Sequence, residues 1–145
     1  MSLYLEDITV GARYQTPSHQ ITLADIAGFC QLTRDHHPLH TDREAAQKAG
    51  FSDVIAHGLY GLALMEGLKT ELHLFDDSSI ASLGWDKVRF VQPMLAGDVV
   101  FVEMEFTAIR ESRGRGILTE AVWLKRQDGT LLISAEHVGM IKKRG

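Results

Sequence analysis

Two hydrophobic rhythms divide this 145-residue chain. Up to about His73 the apolar positions recur at helical spacing, and beyond Trp85 they alternate. Residues 1 to 20 read as an irregular lead-in with an edge strand near Ala12 to Thr16. A helix follows, capped by Thr22 with Asp25 three residues on, and Ile21 and Ile26 stand where a hydrophobic staple closes. Leu23, Ile26, Ala27, Cys30 and Gln31 share its stripe. Thr41 to Glu44 repeats the capping-box pattern and predicts a short helix through about Ala49. Val54 to about His73 predicts the longest helix. Leu59, Tyr60, Leu62, Ala63, Leu64, Met65, Leu68 and Leu72 cover more than one of its faces, the mark of a buried helix.

The second half predicts strands at Trp85 to Gln92, Val99 to Arg110, Gly116 to Arg126 and Thr130 to Lys142. Val102, Met104 and Phe106 alternate with Glu103 and Glu105 at period two. Gly114 and Gly116 mark one hairpin turn, and Asp128-Gly129 marks another. Adjacent long strands joined by turns imply an antiparallel sheet. The fold class is therefore α+β, a curved antiparallel β-sheet wrapped around a long central α-helix. Residues 1–145 form one domain. Its open strand edges call for a second copy, so a homodimer or higher homo-oligomer is expected.

Composition narrows the function. Hydrophobic residues make up 45% of the chain, which excludes a disordered composition. A net charge of -4 gives no basic footprint for nucleic acid. The apolar run Leu59 to Leu68 holds Glu66 and is too short to span a membrane. Met1 to Asp7 lacks the basic and apolar regions of a signal peptide. Cys30 is the only cysteine, so no internal disulfide or thiolate metal cluster forms. These features fit a cytoplasmic protein.

The densest chemistry lies in Asp35-His36-His37-Pro38-Leu39-His40. A carboxylate and an imidazole can both take and give protons, so Asp35 and His40 together could hold one water and move its proton. On a regular helix their five-residue offset would set them roughly 140° apart, at about 3.6 residues per turn. Pro38 cannot continue a helix and drives His37 out of the α region, so the motif is expected on a loop or broken turn. Gly58 lies near the start of the long helix, where backbone N–H groups lack partners and the dipole favours negative charge. Without a Cβ it lets a ligand approach its backbone. His37 holds the loop or lines the pocket, and His36 faces solvent. His57 either meets the ligand or bonds a backbone carbonyl. Arg89 reaches a ligand phosphate or stays solvated.

With these residues in place, the chain resembles the MaoC-like dehydratases, the hot-dog-fold family that includes the (R)-specific enoyl-CoA hydratases. The resemblance rests on Arg34-Asp35-His36-His37-Pro38-Leu39-His40, on Ile55-Ala56-His57-Gly58-Leu59, and on Val88-Arg89-Phe90-Val91-Gln92-Pro93 followed by Gly97-Asp98. It runs from about Leu5 to Met140. It implies a hot-dog fold and an acyl-CoA thioester substrate, or one on acyl carrier protein. It implies reversible addition of water to a 2-enoyl thioester. Asp35 and His40 match the family's catalytic pair, and Gly58 matches the residue whose amide receives the thioester oxygen. His37 stands at the family's Asn position, and Arg34 stands where glycine is frequent.

Other chemistries fit less well. Asp35, His36, His37 and His40 are all good metal ligands, but their spacing is not His-x-x-x-His and Pro38 spoils that helix. No metal and no cofactor are expected, with coenzyme A or acyl carrier protein entering only as part of the substrate. An acyl-CoA thioesterase is a second reading, since the hot-dog fold also serves thioesterases. No Gly-x-Ser-x-Gly elbow is present. A non-catalytic acyl-thioester binding module is a third.

Overall fold

The computed structural model describes residues 1–145. After a 3-10 turn at Leu5–Asp7 come strands β1 (Arg13–Gln15) and β2 (His19–Gln20). Four helices follow: α1 (Leu23–Thr33), α2 (Pro38–Thr41), α3 (Arg43–Lys48) and α4 (Gly58–Thr70). The second half is β3 (Ser79–Phe90), β4 (Val99–Ser112), β5 (Arg115–Arg126) and β6 (Leu131–Lys142). All pairings are antiparallel, in the order β1-β4-β5-β6-β3, with β2 also on β4. The α+β expectation therefore holds.

Period two sets the inner face. On β4, Val100, Val102, Met104 and Phe106 are buried, while their odd-numbered neighbours are only partly covered. Leu118, Val122 and Leu124 of β5 join them, with Ile133 and Ala135 of β6. The β4–β5 hairpin turns through Arg113 and Gly114, with φ of 54° and 75°. Two left-handed residues in a row match the right-handed twist of the flanking strands. β3 begins six residues before the expected Trp85, because Ser79 and Ala81 pair with Ile141 and Met140. Those small residues gain their place from backbone pairing and carry no apolar alternation. β3 is also irregular: Lys87 takes φ 53° where the register shifts between Asp86 and Arg89.

Helix α4 lies on this inner face and differs from expectation in two ways. It starts at Gly58, four residues late, because Val54 to His57 run extended. Ile55 bridges Leu95, and the Ala56 N–H donates to the Met94 carbonyl at 2.8 Å. Apolar residues alone do not distinguish these two states. Second, one stripe of the helix is buried rather than most of its surface: Gly61, Met65, Leu68 and Lys69. Leu59 stays 62% exposed. Within a single chain the sheet covers one side of the rod.

Candidate active site

Local sequence rules place the site. Thr22 caps α1 as expected: its Oγ1 accepts from the Asp25 N–H at 3.0 Å, and Asp25 Oδ2 accepts from the Thr22 N–H at 3.1 Å. Ile21 and Ile26 are both buried beneath this cap. Burial works to raise the Asp25 carboxyl. Hydrogen bonds from His19, the Thr22 N–H and Tyr60 outweigh it and hold the group below its usual range. Tyr60 is pushed far up by burial and by the Asp25 charge. The helix ends at Arg34, which takes the left-handed conformation at φ 71° and donates its N–H to the Cys30 carbonyl. A glycine takes that conformation without strain.

Asp35 follows in the open loop. Its N–H donates to Thr33 Oγ1 at 3.3 Å, and its Oδ1 accepts from the His37 N–H at 3.3 Å. The second of these bonds turns one carboxylate oxygen inward to the loop and leaves the other for the site. Pro38 then opens a helical turn instead of only ending one. It occupies the first position of α2, where its missing N–H costs nothing. His37 caps that turn, with Nδ1 accepting from the Leu39 N–H at 3.1 Å. The loop between α1 and α2 thus removes the 140° problem, at about 3.6 residues per turn, by separating Asp35 from the helix that carries His40. The next cap falls one residue later than expected. Asp42, not Thr41, accepts from the Glu44 and Ala45 N–H groups.

His40 is fixed by the chain just ahead of α4. The Ile55 N–H donates to the Leu39 carbonyl at 2.9 Å, and the Ile55 carbonyl lies 2.7 Å from His40 Nδ1. A carbonyl only accepts, so Nδ1 carries the hydrogen and Nε2 keeps a lone pair for the site. The His57 ring stacks on His40 with centroids 3.7 Å apart. Donor atoms of Asp35, His40 and His57 lie within 4.8 Å of one another. Two hydrogen bonds of about 2.8 Å each reach across such a gap through one water. These three are also the set that could hold a cation. Doing so would cost His57 Nε2 its contact with the Asp35 carbonyl at 3.0 Å.

The sequence candidates therefore separate. Asp35 and His40 converge. His57 is buried behind them at 3% exposure, bonded to a backbone carbonyl. His37 holds the loop. His36 is exposed beside His40 in a groove of about 530 Å³. Arg89 is exposed, and its guanidinium donates to its neighbour's carbonyl. Cys30 is buried, with its thiol pushed up by burial and by the Asp35 charge, so it is a poor nucleophile. Gly58 is the first residue of α4, and its N–H has no backbone acceptor in the chain. It borders a cavity of about 230 Å³ walled by Ile55, Phe90 and Met94.

A second polar cluster was not foreseen. Lys69 Nζ lies 3.4 Å from Glu120 Oε1 and 3.3 Å from His137 Nδ1, and all three side chains are buried. Glu120 and His137 are cross-strand partners on the inner face. Ser82 Oγ and His137 Nε2 are 2.7 Å apart. The cluster borders a cavity of about 290 Å³ at the far end of α4. Period two contained the signal, because Glu120 shares its parity with Leu118 and Val122.

Comparison with known proteins places the chain in a family. Residues 7–123 match the family described as MaoC like domain, and the chain belongs to that family of dehydratases. It is 34% identical over 121 residues to the (R)-specific enoyl-CoA hydratase of Aeromonas caviae, covering 83% of this chain and 87% of that protein. It is 32% identical over 101 residues to protein MaoC of Klebsiella aerogenes, covering 70% of this chain but only 30% of that longer protein. The structure described as monoamine oxidase regulatory protein from Archaeoglobus fulgidus superposes with a TM-score of 0.92 at 32% identity, over 99% of this chain and 97% of that one. The A. caviae (R)-hydratase structure gives 0.78 at 31% identity, over 96% and 99%. The fold is the hot-dog fold. No helix is long and apolar enough to cross a membrane.

Proposed function

We propose that this protein adds water reversibly to 2-enoyl thioesters with (R) stereochemistry. The observation that carries the reading is the convergence of Asp35 and His40 within 4.8 Å, with His40 Nε2 left as an acceptor. The water is held between the Asp35 carboxylate and His40. As its oxygen bonds to the β-carbon, one of the pair accepts its proton, and the α-carbon takes a proton back from the pair. Between those events the thioester oxygen gathers negative charge. The Gly58 N–H, unpaired at the positive end of α4, is the donor that receives it. His37 keeps the loop in place beside the substrate. Coenzyme A or acyl carrier protein enters as part of the substrate, and the chemistry uses neither a metal nor a redox cofactor.

A homodimer is part of the proposal. β3 is a free sheet edge. Ile80, Leu83 and Phe90 on it, Val91 beyond it and Leu59 on α4 are exposed apolar residues that a second copy would cover. A cytoplasmic location fits the single reduced cysteine.

The test is a panel of 2-enoyl-CoA substrates, followed as loss of enoyl absorbance with chiral analysis of the product. A 3-hydroxyacyl-CoA of (R) configuration is expected. Release of free thiol without hydration would point instead to a thioesterase. Tight binding without turnover would point to a binding module.

A further inference from the structure

His57 touches both members of the proposed pair from a buried position. It is 3% exposed. Nε2 lies 3.0 Å from the Asp35 carbonyl oxygen and 3.9 Å from Asp35 Oδ2. Its ring lies on the His40 ring at 3.7 Å and 22°. Phe29 packs on it at 4.8 Å, and Cys30 Sγ lies 3.6 Å from Nε2. As the cap residue of α4 it is covalently joined to Gly58.

We propose that His57 is a positioning residue, a buried imidazole that ties the Asp35 loop, the His40 ring and the amino end of α4 into one arrangement. The role rests on the hydration reading above. The Asp35 carbonyl only accepts, so Nε2 carries the hydrogen and Nδ1 is a bare lone pair. That Nδ1 is buried with no partner. An unmet buried acceptor is costly. An apolar side chain of similar size would avoid that cost, and what it would lack is the bond to the loop. The two stacked rings therefore carry their hydrogens on opposite nitrogens: Nε2 in His57 and Nδ1 in His40. Phe29 from α1 backs the ring on one side, so the stack has little freedom to turn. Its action on the reaction runs through the placement of Asp35 and His40.

Three substitutions separate the contributions. His57→Gln keeps a donor and loses the ring, His57→Phe keeps the ring and loses the donor, and His57→Leu loses both. Misplacement of reacting groups by about 1 Å costs on the order of 100-fold. The leucine variant is expected to lose kcat by about that factor with KM within about twofold, and the other two to lose less. Imidazole 1H–15N spectra of the unmodified protein supply an independent readout. They should show His57 protonated at Nε2 and His40 at Nδ1. In His57→Gln the His40 ring protons should move downfield as the stacked ring current disappears.

Unchanged kcat in the leucine variant would overturn the role. So would a raised KM with kcat intact, which marks a substrate contact. An Nδ1-protonated His57 in the unmodified protein would also overturn it, even if no variant folds. If the unmodified protein hydrates no enoyl thioester, the activity reading fails by itself, while the spectra still decide the geometry.

Discussion

A methyl group added at Gly58 or at Gly61, one turn apart on α4, should separate chemistry from packing. A Cβ at Gly58 would lie 2.8 Å from three atoms of the Phe90 ring. Phe90 lies at the end of β3 and is 54% exposed within a single chain, outside the packed core, so its ring can turn aside without displacing buried side chains. Alanine also favours the helix over glycine, by up to about 1 kcal/mol. Gly58→Ala should therefore change folding stability by less than about 1 kcal/mol in either direction. The same methyl stands beside the unpaired N–H and keeps the thioester oxygen at a distance. Loss of one oxyanion donor costs about 10²- to 10³-fold, so kcat/KM should fall by about 10²-fold or more. Gly61→Ala reverses the outcome. Its Cβ would lie 2.5 Å from Ile133 Cδ1 and 2.6 Å from Met94 Cε. Both side chains are buried in the core and have nowhere to go. Overpacking of that kind costs about 1–3 kcal/mol. Urea unfolding and enoyl-CoA turnover on both variants make the comparison, with kcat of Gly61→Ala expected to survive per folded molecule. The oxyanion assignment is refuted if Gly58→Ala retains kcat/KM, or loses it only in proportion to folded protein.

Other substitutions test the surroundings. Lys69→Met removes the cation beside Glu120 and should cost about 3 kcal/mol in urea unfolding; a loss under about 1 kcal/mol would mean the cluster is not held by charge. The Asp25 carboxyl is lowered in the folded protein, so its contribution is present above the ordinary value of 3.8 and is lost as pH falls below it. Asp25→Asn should thus be less stable at pH 7 by about 1 kcal/mol, a gap that closes in acid. A gap in thermal unfolding that stays constant down to low pH would contradict that linkage. Arg34→Gly should raise stability slightly, by at most about 1 kcal/mol, because φ 71° is unstrained for glycine; a loss of stability would show that the Arg34 side chain matters more than its backbone.

Much of this was legible in the sequence where one physical rule acted alone. The Thr22–Asp25 box, the burial of Ile21 and Ile26 and the parity of β4 depend only on local spacing, and the structure has all three. Reading failed where two rules competed. Val54 to His57 are apolar enough for a buried helix, but pairing with Leu95 and Met94 holds them extended, and no local signal marks a partner forty residues away. Pro38 by itself signals a stop, whereas the His37 cap lets it serve as a start. Thr41 and Asp42 are both good caps, and the turn of α2 selects the second. The all-round apolar pattern of α4 suggested cover on most sides. Lys69 lies in its buried stripe because Glu120 and His137 wait opposite it across the sheet. Within the site, the convergence of Asp35 and His40 is what the Pro38 break and the family resemblance together lead one to expect. The part played by the Ile55 carbonyl is not legible in this way, since a backbone acceptor leaves no trace in residue identity.

The claim that Asp35 and His40 act together on one water is tested most directly by a double-mutant cycle. Asp35→Asn, His40→Gln and the double variant are compared by kcat for enoyl-CoA hydration. Groups that work as a unit are strongly non-additive, so each single variant should lose about 10²- to 10⁴-fold and the double variant little more than the worse single. Losses that multiply, or a single variant that turns over at the full rate, would contradict the shared water.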